Sequence, residues 1–400
     1  MTEHILNSAL LEHRRLGIYH VGNMMFIGKA KALAYATASK QKIYWNFNDD
    51  VFSSIDWKVP INTSLTELYK HRAQQLRDKY DYLSLSFSGG VDSTNILHSF
   101  IDNGIFLDEI IMFRPARTAS NANNIDKSNK NIHSEIEFAA IPHLKKYLKD
   151  SRTLVRIIDL NSATEEFFNN DNLVSEFSLI HQLGVSQLAR TAMCITDKLW
   201  NNLYDSGKTV GHIHGIEKPI INFYNGVYTF DFKDTNINFE SGVFSETYER
   251  MSKYQFHEYF YWTPDLPQLV IKQCQVLKNV CENDFIFKLL FTNGNEKYQD
   301  ELISMIHYIY PPHVNAIRNL FCTVKHSGAA LSAGIHQWFY ETMDNTVIAQ
   351  FNEIVGHTRN SIDHNFFRTE NSAYINENEH EKLAIEKNAI KIIKSKTYVL

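Results

Sequence analysis

The stretch Tyr82 to Ser93, YLSLSFSGGVDS, places an apolar run, two adjacent glycines and the start of a helical pattern in immediate succession. The run over 82–87 predicts a buried strand. The pattern over 91–103 predicts a helix that Gly104 ends. Where a parallel strand leads through a short loop into a helix, ligands bind beyond the carboxyl end of the strand. The loop is therefore the first candidate for a functional site.

The loop residues favour a polyphosphate bound together with a divalent cation. A helix N-terminus offers unpaired N–H groups and the positive end of the helix dipole, and Gly89 and Gly90 allow the backbone to approach oxygen atoms closely. Ser88 and Ser93 add hydroxyl groups at the two edges of the loop. The carboxylate of Asp92 would repel phosphate unless a cation lies between them, which predicts Mg²⁺. The alternative is ordinary helix capping by serine and aspartate.

The loop is not a Walker A loop, because that motif needs a lysine next to its last serine or threonine and residues 88–93 contain none. The tetrapeptide SGKT at 206–209 has a lysine, but Asn202 stands where the upstream glycine would be required. Lys208 also precedes a predicted strand rather than a helix. We interpret 206–209 as a turn.

Strand-like and helical patterns alternate after the loop, with further apolar runs at 109–113, 153–160 and 209–216. This alternation predicts an α/β fold with a parallel sheet and helices on both faces. We expect three domains. They are a small N-terminal α+β module (1–62), an α/β domain that carries the loop (63–235) and a mainly helical C-terminal domain (236–400), whose last helical pattern covers 381–396.

Composition and charge narrow the function classes. The chain has 44% hydrophobic residues and no apolar run long enough to span a membrane. A net charge of −5 argues against a broad nucleic-acid surface. None of the four cysteines forms a C-x-x-C pair, which argues against a disulfide framework or a structural zinc site and favours a reducing, cytoplasmic location. The sequence is compatible with a homo-oligomer.

The segment SFSGGVDST at 86–94 resembles the S-G-G-x-D-S signature of the PP-loop ATP pyrophosphatases. This family includes the synthetase domains of asparagine synthetases and GMP synthetases. The resemblance covers about residues 80–235 in strand and helix order, and it implies a HUP-like sheet that binds ATP and Mg²⁺. It implies that the following residues line the β- and γ-phosphates: Ser88, Gly89, Gly90, Val91, Asp92 and Ser93, with Asp92 near Mg²⁺.

A second polar group, Gly-Ile-Glu-Lys-Pro at 215–219, lies at the end of the fourth predicted strand. A strand end in this fold faces the same crevice as the loop. We expect Lys218 to neutralise charge on a departing pyrophosphate, a role that a late lysine often has in the family. Glu217 is expected to ligate Mg²⁺ or to act as a base. The alternative is a solvated Glu–Lys pair before a proline turn. We expect His212 and His214 to lie on opposite faces of the strand.

The second strand ends in EIIMFRP at 109–115. The resemblance implies that the adenine lies between the first and second strand ends, so Phe87, Met112 and Phe113 are expected to pack against the purine. Ordinary core packing is the alternative for Met112 and Phe113. Arg114, at the edge of the crevice, is expected to contact phosphate or substrate.

The resemblance implies an ATP-dependent ligase that adenylylates a substrate oxygen and releases pyrophosphate, after which ammonia or an amine displaces AMP. The substrate is a small molecule or a nucleobase. Residue 2 is threonine rather than cysteine, so a fused glutaminase is not expected. The alternatives are a tRNA- or DNA-modifying enzyme, which the net charge disfavours, a relative of the adenylyl-sulfate reductases, which would need a cysteine near the C-terminus, and a nucleotide-binding module without turnover.

Overall fold

The computed structural model describes most of the chain, and every structural statement below concerns these residues. The described ranges are 14–114, 133–170, 184–215, 218–234, 253–292, 305–320, 328–366 and 391–400. Within them, no helix has the length and apolar character needed to cross a membrane. Cys194, Cys274 and Cys281 are buried free thiols, and Cys322 lies outside the described residues.

The described residues form eleven strands and thirteen α-helices. The strands are β1 (Ile18–Val21), β2 (Met24–Phe26), β3 (Ile43–Asn46), β4 (Tyr82–Ser86), β5 (Glu109–Arg114), β6 (Leu154–Asp159), β7 (Val210–His214), β8 (Asn222–Tyr224), β9 (Val227–Lys233), β10 (Gln255–Tyr259) and β11 (Lys394–Val399). The helices are α1 (Lys29–Ser39), α2 (Asp49–Phe52), α3 (Leu65–Lys79), α4 (Val91–Ile101), α5 (Ile141–Tyr147), α6 (Leu160–Phe168), α7 (Val185–Thr196), α8 (Lys198–Asp205), α9 (Pro267–Asn283), α10 (Phe285–Thr292), α11 (Pro312–Leu320), α12 (Gly328–Thr342) and α13 (Asn345–Asn360).

A five-stranded sheet with the order β10-β7-β4-β5-β6 lies at the centre of the fold. Every neighbouring pair in it is parallel, which confirms the prediction of a parallel α/β sheet. β5 and β6 lie on one side of β4, whereas β7 and β10 lie on the other. The strand order therefore reverses between β4 and β7, and the loops that follow these two strands leave the sheet in opposite directions.

Two hydrophobic cores cover the two faces of this sheet, because side chains alternate along each strand. Leu83 and Leu85 of β4 belong to the core that contains Leu97 of α4. Ile111 of β5 and Leu188 of α7 belong to the other core. Helices thus lie on both faces, as the alternation of sequence patterns predicted.

β1 and β2 form an antiparallel hairpin in which Val21 pairs with Met24. β3 adds to the other edge of β1. The helix that leads into β4 begins with a reciprocal cap. The Ser64 hydroxyl accepts from the Glu67 N–H at 3.2 Å, and the Ser64 N–H donates to the Glu67 carboxylate at 3.0 Å. This arrangement satisfies two helix-end donors.

The region beyond residue 235 was expected to be mainly helical, and this expectation is wrong at two places. Residues 255–259 form β10, which completes the central sheet beside β7. Residues 394–399 form β11, which pairs antiparallel with β9, whereas 381–396 was expected to be helical. β11 is stabilised by long-range packing that a local pattern does not contain, since Tyr398 stacks on Trp57 with ring centroids 4.6 Å apart.

A buried carboxylate on β10 connects the sheet edge to the helix before β4. Glu258 is 2% exposed. It accepts from Arg72 at 2.8 Å and from Lys79 at 3.1 Å, and Arg15 lies 3.4 Å away. Burial alone would raise the pKa of Glu258, but the three cations outweigh burial and lower its pKa to about 2. The carboxylate is thus charged in the folded protein, and its buried charge is stabilised by these three cations.

Glu258→Gln should lower the free energy of unfolding at pH 7 by about 3–5 kcal/mol, because it leaves buried cations without their counter-charge. The pKa is depressed on folding, so the stabilisation is complete above the unfolded value near 4.5 and is lost as the pH falls towards 2. The midpoint of guanidinium unfolding, measured between pH 7 and pH 3, tests both statements. Glu282→Gln, whose side chain is 49% exposed, is the control and should change stability by less than about 0.5 kcal/mol. Equal losses in the two variants would contradict the assignment.

Candidate functional site

The loop between β4 and α4 is held in shape by its own two serines. The Ser93 hydroxyl donates to the Gly90 carbonyl at 3.1 Å and accepts from the Ser88 N–H at 3.3 Å. The Ser88 hydroxyl accepts from the Gly90 N–H at 3.2 Å. Gly90 is the N-cap of α4, and no side-chain hydrogen bond caps this end of the helix. Because α4 has no side-chain cap, the alternative interpretation of ordinary capping by serine and aspartate does not describe this loop, which presents a helix N-terminus.

Gly89 is required by both its conformation and its surroundings. Its φ is +79°, a region that L side chains rarely adopt. A Cβ atom at this position would lie 2.6 Å from the Ala140 backbone nitrogen. Ala140 ends a π-helical turn over 136–140 that precedes α5. The glycine thus lets the loop pack directly against the backbone of the neighbouring helix.

Lys218 lies at the loop, as the sequence predicted. β7 is adjacent to β4, and the chain leaving β7 passes so close that a Cβ on Gly215 would lie 3.2 Å from the Ser93 nitrogen. The Lys218 ammonium is 2.6 Å from Asp92 Oδ2 and its side chain is 24% exposed. A solvated Glu–Lys pair therefore does not describe Lys218. Glu217, the other residue expected here, lies outside the described residues.

Two tyrosines complete the surroundings of Asp92. The Tyr310 hydroxyl donates to Asp92 Oδ1, and the Tyr261 hydroxyl donates to the Asp92 main-chain carbonyl at 2.8 Å. Burial, reinforced by the charge of Asp92, raises the pKa of both hydroxyls well above the usual value. They remain protonated donors at neutral pH, and the carboxylate meets a donor at each oxygen.

Sequence reasoning missed both tyrosines. Tyr261 follows β10, the fifth strand of the sheet, and the recognition of that strand would have placed it at the carboxyl edge with the loop. Tyr310 precedes α11, more than 200 residues from Asp92 along the chain. No local pattern around it indicates this contact.

The residues expected to hold the adenine do not form one surface. Phe87 and Met112 are 2% and 1% exposed within the core that contains α4. Phe113 packs with the core on the opposite face of the sheet, as neighbouring residues in a strand must. Arg114 lies at the carboxyl end of β5, 3.6 Å from Glu137. Met112 therefore fits the alternative of ordinary core packing. A purine cannot pack against Phe87, Met112 and Phe113 together, because Phe113 lies on the opposite face of the sheet.

His212 and His214 lie on the same face of β7, so the expectation of opposite faces was wrong. Residues two apart in a strand share a face. Both imidazoles stack on His257 of β10, with centroids 5.4 and 5.1 Å apart, and His214 Nε2 is 2.9 Å from His257 Nδ1. Burial lowers the pKa of His212 and of His214 to about 3. At neutral pH His212 and His214 are therefore uncharged, and their rings form a stacked row with the ring of His257.

The site thus belongs to the open α/β class, in which a ligand crevice lies beyond the carboxyl ends of the strands where the strand order reverses. Comparison with models of protein families finds no match to this chain, and comparison with curated proteins finds none either. The SGGVDS signature, the sheet and the geometry around Asp92 are therefore the features from which a function can be argued.

Gly89→Ala should destabilise the protein more than Gly104→Ala. Both glycines have positive φ, +79° and +65°, but a Cβ at position 104 meets no atom within 4 Å. Gly104→Ala should cost only the backbone strain of about 1–2 kcal/mol, whereas Gly89→Ala adds a collision with backbone that cannot move independently. Unfolding midpoints of the two variants measure the difference. Equal costs would show that the loop does not pack closely on Ala140.

Proposed function

We propose that this protein is an ATP-dependent ligase of the PP-loop type. It transfers the adenylyl group of ATP to a substrate oxygen and releases pyrophosphate. Ammonia or an amine then attacks the activated carbon, and AMP leaves with the former substrate oxygen. The substrate is a small molecule or a nucleobase that the motif does not specify.

The observation that supports this proposal best is the 2.6 Å contact between Lys218 Nζ and Asp92 Oδ2. Two residues 126 positions apart, each singled out for phosphate chemistry from its own motif, meet at the reversal of strand order. An ammonium group beside a helix N-terminus favours binding of a highly charged anion. Structural capping of α4 would require neither the lysine nor a second strand end.

The donor set is suited to MgATP. Asp92 supplies a carboxylate and Ser88 and Ser93 supply hydroxyl oxygens, and hard oxygen atoms are the ligands that Mg²⁺ prefers. Asp92, with Glu217 as a second carboxylate, would hold Mg²⁺, which supplies charge neutralisation along the phosphate chain. The N–H groups at the start of α4 would bind phosphate oxygens.

Lys218 would neutralise the charge that grows on the leaving pyrophosphate. No proton transfer is required of it, because catalysis of this chemistry rests on positioning and electrostatic stabilisation. One such contact made mainly in the transition state is worth about 3 kcal/mol.

Lys218→Met should slow pyrophosphate release by about 10²–10³-fold, measured by coupled pyrophosphate detection with ATP, Mg²⁺, ammonia and pools of candidate metabolites. Lys208→Met is the matched control, since Lys208 is an exposed lysine in the SGKT turn, and it should leave the rate unchanged. An unaltered rate in Lys218→Met would exclude the proposed role.

Tyr310→Phe should tighten MgATP binding by about tenfold, because Mg²⁺ and the Tyr310 hydroxyl compete for the same carboxylate and a hydrogen bond to a charged group is worth about 1.5–3 kcal/mol. Calorimetric titration with MgATP measures the dissociation constant. Tyr308→Phe is the control, as the Tyr308 side chain is 52% exposed and lies two residues away. Weaker or unchanged binding in Tyr310→Phe would contradict competition at Asp92.

A nucleotide-binding module without turnover is the second candidate function. The observation in its favour is that Lys218 and Tyr310 already contact both carboxylate oxygens of Asp92. This arrangement is compatible with a site that binds a nucleotide without cleaving it. Binding of MgATP with no release of pyrophosphate or AMP in any substrate pool would support the module. The nucleic-acid-modifying alternative gains no support from the net charge of −5.

A further inference from the structure

A cluster of two histidines and an aspartate lies at the other end of α4, away from the loop. His98 and Asp102 are one helical turn apart, and His313 comes from the first turn of α11. His98 Nδ1 lies 3.0 Å from Asp102 Oδ2, and His313 Nε2 lies 3.1 Å from the same oxygen. One nitrogen or oxygen atom from each of the three residues falls within 4.8 Å of the others.

We propose that His98, Asp102 and His313 bind a transition-metal dication, with Zn²⁺ as the best fit. Imidazole nitrogen and carboxylate oxygen are zinc ligands at about 2.0–2.2 Å, and two such ligands in a tetrahedral arrangement lie about 3.3 Å apart. The observed separations of 3.0 and 3.1 Å need little adjustment to reach that spacing. The side chains of Asp102 and His313 are 44% and 52% exposed, so a fourth ligand position is open to water.

The surroundings of His98 are those of a metal ligand. Coordination through Nδ1 leaves the proton on Nε2, and His98 Nε2 lies 3.2 Å from Nε2 of His143, a buried side chain that can accept it. Such an outer hydrogen bond fixes the tautomer and ring orientation of a ligating histidine. The cluster also lies at the C-terminal end of α4, where the helix dipole favours a cation.

A metal here would connect two distant parts of the chain. Asp102 and His313 are 211 residues apart, and Tyr310, three residues before His313, donates to Asp92 at the start of the same helix. The segment around 310–313 therefore contacts α4 at both ends. A metal ion would hold this segment, and with it Tyr310, against the helix. The cysteine spacing gave no indication of such a site, because all of its ligands are histidine and aspartate.

Titration of the full-length, chelator-treated protein with Zn²⁺ alone, in the absence of nucleotide, tests the site independently of any activity. Wild type should bind one equivalent and show a rise in melting temperature, and Co²⁺ in place of Zn²⁺ should give visible absorption bands. His313→Ala and Asp102→Asn alter exposed residues and should fold, as circular dichroism can verify. Each should bind Zn²⁺ at least about tenfold more weakly, since even outer partners of a metal ligand are worth 10–100-fold.

His357→Ala is the matched control, because His357 is an exposed histidine that lies 3.6 Å from Glu353 in an i,i+4 pair, and the described part of the chain adds no third ligand to this pair. This variant should bind Zn²⁺ as the wild type does. The proposal is overturned if the wild type binds no Zn²⁺, or if His313→Ala and Asp102→Asn retain wild-type affinity and Co²⁺ absorption. An equal loss in His357→Ala would also overturn it, since the binding would then be non-specific surface chelation.

Discussion

The charge of Asp92 is the constraint around which the candidate site is organised. A carboxylate beside the first turn of a helix is favoured by the dipole, but at a partly covered position it also requires donors. Lys218 after β7 and Tyr310 before α11 donate to the carboxylate, and Tyr261 after β10 donates to the main-chain carbonyl of the same residue. Lys218 and Tyr261 reach Asp92 because β7 and β10 lie on the side of β4 where the strand order reverses, whereas Tyr310 reaches it from the C-terminal part of the chain, which folds back over α4. The carboxylate of Asp92 therefore obtains its donors from segments that the tertiary fold, and not the local sequence, brings together.

Much of the central fold could be predicted from the sequence, because buried parallel strands appear as short apolar runs and helices as a 3.6-residue pattern. β4, β5, β6 and β7 were recognised in this way. β10 was not, since QFHEY contains a buried glutamate whose charge only Arg72, Lys79 and Arg15 make acceptable. β11 was assigned to a helical pattern, because the pairing and stacking that stabilise it involve residues more than 160 positions away.

The candidate site was likewise predictable from the sequence only in part. The loop and Lys218 carry local signatures, a glycine pair and a strand end, so their proximity followed from the topology of a parallel sheet. Tyr310 and His313 carry none. They lie against α4 only because the C-terminal part of the chain folds back over it. The purine-binding expectation failed in part for a simpler reason, since Met112 and Phe113 are consecutive in a strand and cannot share a face.

The ion pair on β10 also decides how that strand aligns. Glu258 stands opposite Ile213 in the parallel pairing with β7. A slip of one residue would turn its side chain to the other face of the sheet, away from Arg72, and would leave a buried carboxylate and a buried guanidinium each without its counter-charge. An edge strand with a purely apolar face could tolerate several alignments. The buried charge makes one alignment much lower in free energy than its neighbours, and so positions Tyr261, two residues beyond the strand, beside Asp92.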